Sequence, residues 1–166
     1  MNSTLSEFGT EFAKMKLTTQ NQMIMKKLLM AAVAALMFTG AAIAQTGTRF
    51  TEDTFANVQK AAEQAKKPIF VDIYTTWCGP CKYLANNIFP TQVVGDYMNA
   101  TFVNAKFDAE KGEGIELAKK YAVKGYPTML ILDSKGEELG RLVGSSRTPE
   151  DFVQRLKDEM AKIEKK

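Results

Sequence analysis

The chain has 166 residues, 45% of them apolar and 25% charged, which is enough to build one hydrophobic core and too apolar for a disordered chain. It holds two cysteines and no histidine, so a closed four-ligand zinc site would have to borrow carboxylates and is excluded as the main reading. The formal net charge of +3 says nothing for nucleic acid: residues 1–44 contain Lys14, Lys16, Lys26 and Lys27 against Glu7 and Glu11, and the remainder is close to neutral.

Met25-Lys26-Lys27 opens a basic stretch, residues 28–38 are unbroken apolar, and Ala42-Ile43-Ala44 before Gln45 is an A-x-A cleavage pattern. This order predicts a secretory signal at residues 25–44. The apolar run is shorter than the roughly 20 residues that span a bilayer, so no stable membrane insertion is expected after processing. Residues 1–24 are polar, unpatterned and placed ahead of the signal. They are expected to be a non-native or mis-assigned extension, with Met25 as the start and Met15 and Met23 as competitors. A domain of residues 45–166 would then begin at Gln45 in the periplasm or outside the cell.

Residues 51–67 place Phe55, Val58, Ala62 and Ala65 at helical spacing, with Pro68 as the stop. Residues 69–74 are short, β-branched and aromatic, and apolar on both faces, the pattern of a strand in the middle of a covered sheet. Trp77-Cys78-Gly79-Pro80-Cys81-Lys82 starts a second helix running through Tyr83, Leu84 and Ile88; Pro90 interrupts it and residues 91–99 resume. A strand at 101–107, a charged loop at 108–114 and a helix at about 115–122 follow. Residues 127–132 and 138–143 are strands separated by Asp133-Ser134-Lys135-Gly136, an antiparallel hairpin. Thr148, Pro149, Glu150 and Asp151 then start a closing helix whose buried stripe is Phe152, Leu156 and Ile163. The fold class is α/β: a mixed sheet of about four strands with helices on both faces.

The two cysteines carry the chemistry. Thiols three positions apart at a strand-to-helix junction can close a disulfide and reopen it. A purely structural staple is disfavoured, because stabilisation grows with loop length and only Gly79 and Pro80 lie between. Outside the cytoplasm disulfides form and persist, so a chain whose only cysteines form one CxxC is suited to handling the disulfides of other proteins.

Four separated features together resemble the thioredoxin superfamily over about residues 50–163: the WCGPCK motif at 77–82, Asp72 six residues before Cys78, Gly125-Tyr126-Pro127-Thr128 and Gly144. The resemblance implies a thioredoxin fold and a thiol:disulfide oxidoreductase. It implies Cys78 as nucleophile, which a helix N-terminus would favour as thiolate, and Cys81 as the more enclosed resolving thiol. Pro80, with no N–H and a preset φ, suits the start of a helix, and Gly79-Pro80 with Trp77 would form part of the substrate surface. Asp72, flanked by apolar residues, is expected to be buried, to hold its proton tightly and to take the proton of Cys81; Lys106 on the neighbouring strand is its implied companion, against a plain solvated lysine.

The same resemblance implies a cis Tyr126-Pro127 bond beside Cys78, where the Tyr126 backbone could pair with an extended substrate segment. Asn86 stands where thioredoxin has a helix-kinking proline, so Pro90 is expected to carry the bend one turn later. The loop at 108–114 resembles that of secreted thioredoxin-like proteins of the Bacteroidetes type. No metal or organic cofactor is expected. The partners implied are protein substrates bearing disulfides or thiols and a membrane reductase as electron donor, with no nucleic acid and the chain acting as a monomer. Reductase is favoured over oxidant. A disulfide isomerase, or a non-catalytic binding module using the Tyr126-Pro127 groove, stands as the alternative.

Overall fold

A computed structural model describes residues 46–165; the expected signal at 25–44 and the extension at 1–24 lie outside the described residues. A five-stranded sheet has the order β1-β3-β2-β4-β5. β1 (Phe50–Thr51), β3 (Val103–Asp108) and β2 (Ile69–Tyr74) run parallel, while β4 (Thr128–Leu132) and β5 (Glu138–Val143) are antiparallel to their neighbours. β1 is the difference from the expected four strands. Two residues long, it carries no alternation to read, and what places it is its pairing with Asn104 and Ala105.

Helix α1 (Phe55–Ala65) begins after β1, capped by Thr54, whose hydroxyl accepts from the Asn57 N–H. It ends at Lys66 in the left-handed conformation, two residues before the proline expected to stop it. Helix α2 (Gly79–Tyr83) runs straight into a π turn (Leu84–Ile88), and α3 (Gln92–Thr101), α4 (Glu113–Lys120) and α5 (Pro149–Ile163) complete the set. The π turn is the bend expected at Pro90: one extra residue inserted at Leu84–Ile88 closes on Phe89, whose N–H donates to the Leu84 carbonyl. Proline only follows it.

Strand periodicity divides the core in two. Phe70, Met129, Ile131 and Leu142 point to the face covered by α2, α3 and α5, packing with Leu84, Ile88, Met98, Phe152 and Leu156. Ile69, Val71, Ile73, Leu130 and Leu132 point to the face covered by α1 and α4, against Val58, Ala62, Leu117 and Tyr121. Both faces of β2 and β4 are therefore buried, as their apolar sequences require. At about 1.5–3 kcal/mol for each large apolar side chain fully removed from water, these two layers supply most of the drive to fold. In α5 the Thr148 hydroxyl accepts from the Asp151 N–H, and Phe152 and Leu156 are buried with Ile163 partly so, which is the expected stripe. The turn after β4 is held by Asp133, whose carboxylate accepts from the N–H groups of Lys135 and Glu137.

Candidate active site

The site forms where β2 ends. Along this strand even-numbered residues face α2, so Asp72 shares the face of Phe70 and lies beneath the helix that carries Cys81. The chain then turns, with the Cys78 N–H donating to the Thr75 carbonyl at 3.3 Å, and Cys78 becomes the N-cap of α2. Pro80 occupies the first turn, where its missing N–H costs no hydrogen bond. The pair is closed as a disulfide with Cα atoms 5.3 Å apart, and Cys78 Sγ accepts from the Cys81 backbone N–H at 3.1 Å. This N–H is already aimed at the sulfur that would carry negative charge when the bond is reduced.

Exposure does not separate the two cysteines as expected: each is 4% accessible. Their surroundings do. Cys78 is bracketed by exposed Trp77, Gly79 and Pro80. Cys81 lines a cleft of about 370 Å³ together with Asp72, Thr75 and Lys106, walled by Phe50, Ala85, Phe89 and Pro90.

Asp72 is buried and its Oδ1 has no hydrogen-bond partner in the protein. Burial pushes its carboxyl up to about 7, and the Lys106 charge pulls it back only in part. Lys106 is directly opposite Asp72 in the parallel β2–β3 register, yet its side chain is exposed and its ammonium lies 5.7 Å from the centre of the Phe50 ring. No ion pair among the described residues joins the two. Lys106 thus acts on Asp72 through space, from the mouth of the cleft. Thr75 Oγ1 is a second buried, unpartnered polar atom in the same cleft.

The opposite flank is built by the turn into β4. The Tyr126-Pro127 bond is cis, Pro127 is buried, and the Thr128 hydroxyl donates to the Gly125 carbonyl at 2.7 Å. The register Ile73–Thr128 puts Pro127 beside the end of β2, and the Tyr126 ring meets the Trp77 ring edge-to-face at 6.0 Å. Trp77 is 64% exposed, with its indole N–H donating to Glu110 at 2.9 Å. Gly144, at φ +81°, donates its N–H to the Pro127 carbonyl.

The structure therefore brings Trp77, Cys78, Gly79 and Pro80 together at the start of α2, with Tyr126 of the cis-proline turn against Trp77, and sets Cys81, Asp72 and Lys106 around one cleft. Sequence reasoning left Glu110, Thr75 and Phe50 out. Glu110 lies in the 108–114 loop, whose tight course brings Gly114 so close to the Asp108 carbonyl that a Cβ would overlap it. Among the described residues no three His, Cys, Asp or Glu side chains gather as a metal site.

Comparison with known proteins agrees with this geometry. The thioredoxin-like domain family matches residues 55–159. A solution structure from Bacteroides thetaiotaomicron, described as a candidate disulphide-isomerase, is 48% identical with a TM-score of 0.62, covering 69% of this chain and 94% of that one. Chloroplastic thioredoxin Y of Oryza sativa is 32% identical over 94 residues, 57% of this chain and 52% of its own. The thiol:disulfide interchange protein DsbD of Cronobacter sakazakii is 31% identical over 100 residues, 58% of this chain and 17% of its own. The chain thus spans about half of the plant relative and a smaller part of the DsbD protein. The chain belongs to the thioredoxin-like domain family, and it carries a Cys78–Cys81 pair closed as a disulfide at the start of α2.

Proposed function

We propose that this protein acts outside the cytoplasm as a reductase of protein disulfides. The observation that carries the proposal is Cys78, which accepts an N–H bond at its sulfur on a surface otherwise made of Trp77, Gly79, Pro80 and the cis Tyr126-Pro127 turn. In the reduced protein the Cys78 thiolate attacks one sulfur of a substrate disulfide, forming a mixed disulfide and expelling one substrate thiolate. Cys81 then gives its proton to the Asp72 carboxylate, and its thiolate attacks Cys78 Sγ and expels the second substrate thiolate. The substrate gains two electrons, and the Cys78–Cys81 disulfide records their loss. A dithiol donor restores the pair, and a membrane reductase would supply that role in an exported protein.

Asp72 fits the relay because a carboxyl titrating near 7 exchanges protons readily at neutral pH. Lys106 at the cleft mouth favours its ionised form, and the paired Trp77 and Tyr126 rings offer an aromatic contact for an extended substrate. The signal pattern at residues 25–44 supports export, with Gln45 as the first residue of the mature chain.

Reduction of insulin with a chemical electron source tests the proposal: the protein accelerates it, and Cys78→Ser does not. Direction is read from the potential of the pair. A value near the thioredoxin end of the scale, about −270 mV, supports a reductase, and one near about −120 mV would make it an oxidant. The description of the 48% identical Bacteroides structure favours a second reading, disulfide isomerisation. Recovery of activity from scrambled ribonuclease without added oxidant would select it.

A further inference from the structure

The peptide group joining Val143 to Gly144 is held at both ends. Its N–H donates to the Pro127 carbonyl at 2.9 Å, and its C=O accepts from Arg155 Nη2 at 3.0 Å. Arg155, on the second turn of α5, also donates from Nη1 to the Ser145 carbonyl at 3.1 Å and the Ser146 hydroxyl at 2.8 Å. Three acceptors from four consecutive residues thus curl around one half-buried guanidinium. Arg155 forms no ion pair among the described residues, so its charge is directed at this loop. From the other side, the Tyr83 hydroxyl of α2 donates to the Arg147 carbonyl.

This loop borders the redox surface. Val143 is opposite Thr128 in the β4–β5 register, which lies one residue beyond the cis proline, and Val143 is 57% exposed. Gly144 takes a positive φ with open space where a Cβ would stand. The Val143–Gly144 peptide is thus tied on one side to the cis-proline turn and on the other to a residue of a distant helix.

We propose that Arg155 is a positioning residue for protein substrates: it sets the Val143–Gly144 wall, and through the Pro127 carbonyl the cis-proline turn, without touching the reacting sulfurs. The inference rests on the reductase reading above. A planar guanidinium serves acceptors on different sides from separate nitrogens held in a rigid fork, whereas the three donors of a lysine leave a single nitrogen on a flexible stem and an apolar chain has none. Freed from it, the loop would sample other conformations, and an extended chain would have to order it on binding. A small disulfide, which needs only Cys78, would not meet that cost.

The test compares Arg155→Met and Arg155→Lys with the parent on insulin and on a small aromatic disulfide, with the potential of the pair measured in each. For Arg155→Met we expect KM for insulin to rise about tenfold, the scale of one hydrogen bond to a charged group, with kcat for insulin, the small-disulfide rate and the potential changed less than about twofold. Arg155→Lys should fall between. An unchanged insulin KM, or a loss shared equally by both substrates, overturns the proposal. Should Arg155→Met fail to fold, Ser146→Ala removes one acceptor and should raise the insulin KM about twofold with the same selectivity, equal rates again overturning it. Failure of the parent to turn over insulin overturns the reductase reading and this inference together, whereas turnover without the split overturns the inference alone.

Discussion

Replacing Asp72 by asparagine separates the cost of its buried charge from its service as a proton acceptor. Its carboxyl ordinarily titrates at 3.8 and is raised to about 7 by burial. The unfolded chain therefore releases this proton near pH 4, while the folded protein holds it until about pH 7. Between these values the folded state binds the extra proton, so stability falls as pH rises through the window. At about 1.4 kcal/mol per pKa unit, the full penalty above pH 8 is about 4 kcal/mol, and below pH 4 it vanishes. Asp72→Asn carries no such charge. Any change from fitting an amide beside the unpartnered Oδ1 site is the same at every pH. The variant should thus gain on the parent by about 2–4 kcal/mol between pH 4 and pH 8.5, a shift of roughly 1–2 M in urea midpoint at a slope of about 2 kcal/mol/M. A gap independent of pH would show that Asp72 titrates as an ordinary surface carboxylate. Stopped-flow observation of the same variant should show mixed-disulfide formation nearly unchanged and its decay slowed about tenfold or more at pH 7. Equal decay rates across pH 6–9 would remove Asp72 from the relay.

Trp77 is the single tryptophan of the chain, so its fluorescence reports the Glu110 contact directly. Glu110→Ala should lower its steady-state anisotropy and raise KM for a protein disulfide about twofold to fivefold, the scale of one exposed hydrogen bond; unchanged anisotropy would show that the ring is held by Tyr126 alone. Gly114→Ala should destabilise the fold by about 1–3 kcal/mol, because the new Cβ must displace the Asp108 carbonyl, and chemical denaturation measures it. Mass spectrometry of exported protein should find Gln45 as the first residue, and retention of residues 28–38 in a membrane fraction would replace a released enzyme with an anchored one.

The closed cysteine pair and the burial of Asp72 were legible in the sequence because each carries a local signal, a CxxC after an apolar strand and a carboxylate flanked by apolar residues within that strand; the cis Tyr126-Pro127 bond was legible only through the family resemblance, since a proline there could equally open a strand. The bounds of β2 and β5 match the sequence reading residue for residue, since their composition and turn signals are sharp. What escaped depends on contacts distant in sequence. β1 is made by pairing with residues more than fifty positions later. The π turn at Leu84–Ile88 has no composition signal, and the proline at position 90 drew the bend to itself. Glu110 and Arg155 look like solvated charges until folding brings one to an indole and the other to three loop acceptors. The equal enclosure of Cys78 and Cys81 also follows from tertiary packing, since helix position alone would leave the first cysteine more open.

The central claim is that Cys78 attacks and Cys81 resolves. The reduced Cys81→Ser variant, incubated with a disulfide-bonded protein and then digested under non-reducing, acidic conditions, retains whichever mixed disulfide forms. The account predicts a substrate peptide linked to Cys78 by mass spectrometry, and no comparable adduct on Cys81 in the Cys78→Ser variant. An adduct on Cys81 in Cys78→Ser, with none on Cys78 in Cys81→Ser, would contradict it.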